Sequence, residues 1–295
     1  MLESVISPCC AEKNPWDMII LAIILSTIGI FCGHYLSPLL GVPASMLSLA
    51  ITVMALAPLI HRLIVMDERV EEDADHSSVF GFVTRHIDII MVYSFIFIGL
   101  LCSFCFWYVF LPPSTTDFPS AEGIFGEQEL SVGAVRQKIA TSVPTAKAIS
   151  TNAILENKMS NYVANNLWVM ALCFASSLLF GAGALWITTW NASTIGVAVG
   201  ASINSATAAG ADKVAAFATG FPTLTLGMAA WAIPEILAYL LAGIGGGILA
   251  AAVIRHNFKD EKFIIAAFDG LVFLLLGFVL VIVAALVETY LPTMV

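Results

Sequence analysis

The chain has 295 residues, 59% of them hydrophobic and only 11% charged, with a formal net charge of −9. So much apolar side chain cannot be enclosed in one water-soluble core, so the composition specifies an integral membrane protein. The acidic balance excludes nucleic acid as a partner, because a phosphate backbone needs a basic surface.

The first sixteen residues carry Lys13 as their only basic side chain, and the apolar run after them is too long for a signal-peptide core. It reads as a retained anchor. Spans are predicted at about Asp17 to Leu36, Val42 to Met66, Ile87 to Leu111, Val163 to Trp190, Ser193 to Ala211, Thr223 to Ile254 and Ile264 to Tyr290. The expected fold is therefore all-α: a polytopic bundle of about seven transmembrane helices. By this reading residues 1–86 form a two-span region with an acidic cytoplasmic loop, and residues 87–295 form a membrane domain with an outer loop at 112–162.

The fourth span is expected to be framed by aromatic belts, since Trp168 and Trp190 lie 22 positions apart, roughly 33 Å at the helical rise. It would place Asn165 and Asn166 at one end and Asn191 at the other, with Asn191 capping the fifth helix. That fifth segment carries Ser202, Asn204, Ser205 and Thr207 among small residues, so a broken or re-entrant stretch around 193–234 is a second expectation. Pro234 should kink or break the sixth helix just before it. The outer loop should be helix-like from about Ile149 to Asn161 and lie as a cap over the bundle.

Basic residues gather in the loop from Arg62 to His86 and in the turn from Arg255 to Lys262, which places both in the cytoplasm. The N-terminus is then inside and the C-terminus outside. The six cysteines read as free thiols: Cys102 and Cys105 share a helix face within an apolar run but lack a second pair or a nearby histidine, and Cys9-Cys10 is the better ligand candidate of the two pairs. No metal site, cofactor motif, nucleotide loop or hydrolase signature is present, and the five histidines are scattered.

An acid or amide in a span needs a protein partner, so the polar candidates are Glu235, Asp269, Asn165, Asn166, Asn191 and Asn204. Glu235 would be held by the first amides of a helix restarted after Pro234, or handle an ion or proton. Asp269 lies near the amino-terminal dipole of the last span, with Arg255, Lys259 or Lys262 in reach. The asparagines read as glue between helices or as solute ligands. Small residues at helical spacing, Ser177 with Gly181, Gly196 with Gly200, Ala242 with Gly246 and Ala250, and Gly243 with Gly247, make the back half the tightly packed part, and Gly183 joins them as a close-packing candidate.

Five segments carry a resemblance: Asn165-Asn166, FGAGAL at Phe180 to Leu185, TWNASTIG at Thr189 to Gly196, IPEILAYLLAGIGGG at Ile233 to Gly247, and VIRHNF at Val253 to Phe258. In order and spacing the chain resembles the stage II sporulation protein M family, and its opening LESVISPCCAEKNPWDM is similar to that of full-length archaeal members. The resemblance implies a multi-span membrane protein; in spore formers the named member works with wall-degrading partners during engulfment, as a membrane component and not as a hydrolase. One departure stands out: the family often has His-Gly-x-x-Glu where this chain has Trp231 to Glu235, so the glutamate is kept and the imidazole replaced. The expectation is a non-enzymatic membrane platform for a cell-envelope complex, with a membrane or envelope protein as partner and self-association open. The alternative is a channel or secondary transporter using Glu235.

Overall fold

The computed structural model describes residues 11, 13–71, 79–112, 119–142, 151–255 and 259–291. Eight helices occur among them: α1 (Asp17–Leu40), α2 (Ala44–Glu71), α3 (Val79–Phe110), α4 (Ala121–Ser142), α5 (Thr151–Phe180), α6 (Ala184–Ala208), α7 (Lys213–Arg255) and α8 (Glu261–Tyr290). Six of them, all but α4 and α6, are long and apolar enough to cross a membrane. The chain is a polytopic α-helical membrane protein.

Glycine contacts give the register of the bundle. Gly29 and Gly33 of α1 lie against Ser48 of α2, with Thr52 also beside Gly29 and the Ala44 carbonyl beside Gly33. α1 ends at Gly41, whose φ of 66° sets the reversal into α2. α1 and α3 are tied by Ser26 Oγ donating to Ser103 Oγ at 2.7 Å and by Trp107 Nε1 donating to Thr27 Oγ1 at 2.9 Å. α6 runs parallel to α3, with Gly196 beside Phe104 and Gly200 beside Tyr108. α7 runs back against α6, Gly220 meeting Ile203 and Gly243 meeting Ala184. α8 opposes α7 in turn, pairing Gly270 with Gly245 and Gly277 with Ala238. One end of the bundle thus gathers Arg62, the start of α6, Arg255 and the start of α8; the other holds the α1–α2 turn, α4 and the end of α8.

The predicted single span from Val163 to Trp190 is corrected to two helices. α5 stops at Phe180, and the chain reverses through Gly181, Ala182 and Gly183 before α6 begins. Gly181 adopts φ 73°, which a side chain disfavours, and a Cβ on Gly183 would strike the Ser176 carbonyl. Ser177 fastens the turn, its Oγ accepting from Ala184 N at 2.9 Å while its carbonyl accepts from Gly181 N at 2.7 Å. Ser177 with Gly181 is therefore a turn and not a packing stripe. Trp168 and Trp190 sit on different helices, so their spacing measures no single span.

Neither of the two expected helix breaks occurs. The stretch 193–234 holds no break within its helices: α6 is continuous to Ala208, the chain turns at Gly210 (φ 102°), and Asp212 Oδ1 accepts from Ala215 N at 2.9 Å to start α7. The α6 helix tolerates its polar residues because Thr188, Thr194, Ser202, Ser205 and Thr207 bond carbonyls one turn back on the same helix. α7 then runs 43 residues with Pro222 and Pro234 inside it, so Pro234 interrupts one backbone bond without ending the helix. Its middle is backbone-close: a Cβ on Gly246 would strike the Phe174 carbonyl oxygen of α5, and one on Gly247 would lie 2.9 Å from the Gly181 carbonyl.

The connection between α3 and α5 contains a helix that its sequence did not advertise. α4 buries Ile124, Phe125 and Gln128 against the bundle. The Phe125 ring meets Phe104 and Tyr108 edge-on at centroid distances of 6.3 and 5.6 Å. Two polar ties fix it: Gln128 Nε2 donates to Ser193 Oγ at 3.3 Å, and Tyr108 Oη donates to Glu129 Oε1 at 2.8 Å. The expected helix-like stretch before Asn161 is, from Thr151 onward, the first part of α5.

Candidate functional site

Three helices converge on Glu235. From α7 itself, Tyr239 stands one turn on, where the backward tilt of helical side chains aims its hydroxyl at the carboxyl group. Tyr239 Oη donates to Glu235 Oε1 at 2.8 Å. From α5, Asn166 reaches the same carboxyl group. Asn166 is 3% exposed, yet its Nδ2 has no hydrogen-bond partner of good geometry among the described residues. Its Oδ1 accepts from Asn165 Nδ2 at 3.2 Å. From α8, Glu288 comes within electrostatic reach of Glu235, and Tyr162 of α5 lies within reach of Glu288.

No restarted helix holds Glu235, since α7 is continuous there; a phenol does so in place of backbone amides. The polar side chains that reach the Glu235 carboxyl group are Tyr239 and Asn166.

The structure disperses the other candidates. Asn191 lies two turns inside α6, not at its cap, and its Nδ2 donates to the Ile187 carbonyl at 2.8 Å. Asn204 is half-buried near the end of α6, and Asn165 is exposed. Asp269, 2% exposed, lies beside Gly270 at the opposite end of the α7–α8 pair. It neighbours Phe273, whose ring meets buried His86 at 4.8 Å. Gly196, Gly200, Gly243, Gly246 and Gly247 each face a neighbouring helix at close approach. Cys102, Cys105 and Cys173 are free thiols, and Cys9-Cys10 lies outside the described residues. Among the described residues no three His, Cys, Asp or Glu side chains group to hold a metal ion.

Two members of the site were missed in the sequence. Tyr239 was within sight, being four residues after Glu235; Glu288 reads from sequence as an acid reaching toward water. Trp231, the residue that departs from the family pattern, stands one turn before Glu235 and buries an indole N–H that has no partner among the described residues.

Fold and site together define a multi-pass helical membrane protein with one carboxyl group, Glu235, held between helices by Tyr239 and Asn166. The family model for stage II sporulation protein M matches residues 18–292, and the chain belongs to that family. No curated protein and no solved structure matches it.

Proposed function

We propose that this protein is a non-enzymatic membrane platform on which a cell-envelope complex assembles, with the α4 end outside the cell. The observation that supports this reading is α4. A helix of low hydropathy is bolted to the bundle by Gln128 and Tyr108, and it borders an open groove of about 910 Å³ lined by Ser37, Ser45, Glu122, Glu127, Glu129 and Gly133. The gathering of Arg62, Arg255, Lys259 and Lys262 at the opposite end favours the cytoplasm for that end. Photo-crosslinkers placed at Glu122 and Glu127 in native membranes test the proposal. A partner captured there and lost on Glu127→Lys supports it; crosslinks confined to Lys259 or Lys262 refute it.

A second reading, a pathway for an ion or small solute, is favoured by Glu235 standing within the apolar run of α7 with Tyr239 and Asn166 as its polar neighbours. Under it, purified protein in liposomes carries a selective flux that Glu235→Gln abolishes. Flux indifferent to that substitution removes the reading.

A further inference from the structure

The groove beside α4 has two unlike walls. One is the start of α2, where Pro43, Ala44 and Ser45 line it. A helix leaves its first amides without partners of its own, and a proline at the entry offers no side-chain oxygen to cap them. Ala44 and Ser45 are nonetheless buried. Ser45 is 3% exposed, and its hydroxyl has no hydrogen-bond partner among the described residues. No acid stands in the first turn of α2, so the partial positive charge of that helix end faces the groove without an anion from its own helix. The other wall is α4, which contributes Glu122 and Glu127. Neither carboxyl group has an ion-pair partner among the described residues. Gly126 and Gly133 lie on the same wall, and nothing comes within 4 Å of a Cβ built on either. Glycine inside a helix is unfavourable unless close packing offsets it, and here no packing does; the two glycines keep the groove open.

An anion alone would be repelled by the two glutamates, and a cation alone would meet the amide end of α2. A ligand that carries both charges satisfies both walls. We propose that the groove holds the headgroup of a zwitterionic membrane lipid, with its phosphate on the α2 end and the Ser45 hydroxyl and its ammonium group on Glu122 and Glu127. The volume of about 910 Å³ admits a headgroup together with its glycerol. Apolar side chains mark the way out. Leu130 lines the groove and is exposed, and Leu39 and Leu40, also exposed, follow Ser37 of the opposite wall by two and three positions. Acyl chains leaving the groove pass over these leucines into the bilayer, which a soluble zwitterion has no use for. The lipid site rests on neither reading of function above.

The test uses the full chain, purified in detergent and titrated with phosphatidylethanolamine or phosphatidylglycerol while native mass spectrometry counts the lipids bound. Phosphatidylethanolamine, which carries both charges, should bind roughly tenfold tighter than phosphatidylglycerol, which lacks the amine. Glu122→Gln combined with Glu127→Gln should abolish that preference, and Ser45→Ala should weaken both lipids. Gly126→Leu, whose side chain enters open space, should block both while leaving the melting midpoint unchanged. Soluble glycerophosphoethanolamine at equal concentration should fail to displace the lipid; if it does displace it, the ligand is a soluble zwitterion and the lipid assignment falls. Equal binding of the two lipids by the native chain, or a preference that survives both the paired glutamine substitution and Gly126→Leu in folded protein, overturns the site.

Discussion

Replacing Gly246 with alanine adds one methyl group where the backbones of α5 and α7 cross in close contact. The ideal Cβ meets backbone on every side: the Phe174 carbonyl oxygen, its carbon at 3.1 Å and Leu178 N at 3.2 Å. No rotamer can relieve a clash with backbone, so α5 and α7 must move apart and lose contacts along their crossing. Overpacking of this kind costs about 1–3 kcal/mol, and contact with two residues' backbone puts Gly246→Ala toward the upper end. Alanine returns about 1 kcal/mol through its better helix propensity, leaving a net loss of about 1–2 kcal/mol. Gly227→Ala is the internal control, because nothing lies within 4 Å of its Cβ and only the propensity gain of about 1 kcal/mol applies. The two variants should therefore differ by about 2–3 kcal/mol. At roughly 2–4 °C per kcal/mol, this separates their melting midpoints by roughly 4–12 °C. Fluorescence-detected thermal unfolding in one detergent measures it. Equal midpoints for the two variants would show that the backbone-to-backbone crossing does not hold the bundle together.

Ser177→Ala leaves Ala184 N and the turn after α5 without their fastening; it should cost about 1–2 kcal/mol, read in the same thermal assay, whereas Gly126→Ala, with open space around it, should not destabilise. Gln128→Leu unhooks α4 from Ser193, so limited proteolysis should cut within residues 121–142 faster while the other helices stay resistant; an unchanged cleavage rate would mean that the Gln128 bond does not anchor α4. Single cysteines at Asp212 and Lys259, at opposite ends of α7, should be labelled by an impermeant reagent from opposite sides of the membrane, and labelling of both from one side would contradict the register of α6, α7 and α8.

The sequence made α1, α2, α3 and α8 plain because each is a single apolar run between polar stretches. It misplaced the α5–α6 boundary for a physical reason: a glycine that packs a helix and a glycine that turns the chain look identical until φ is known. Here the chance spacing of Trp168 and Trp190 favoured the wrong choice. α4 stayed hidden because its buried face amounts to a few residues such as Ile124, Phe125 and Gln128, too narrow a stripe to raise its hydropathy. At the site, Glu235 and Asn166 were legible as polar groups in apolar runs, and Tyr239 was recoverable from its four-residue spacing. Glu288 was not, because nothing in a linear chain tells which helix end comes within electrostatic reach of a neighbour's acid.

α6 does not reach the apolarity needed to cross a membrane by itself, although it is 25 residues long and lies among α3, α4 and α7. Hydroxyls bonded to its own carbonyls lower the cost of hydrocarbon contact without abolishing it. During biosynthesis this segment therefore gains a stable place only when the following helix arrives to line it. Biogenesis becomes a joint event of residues 151–255, in which chain synthesis as far as Arg255 completes the shelter that α6 requires.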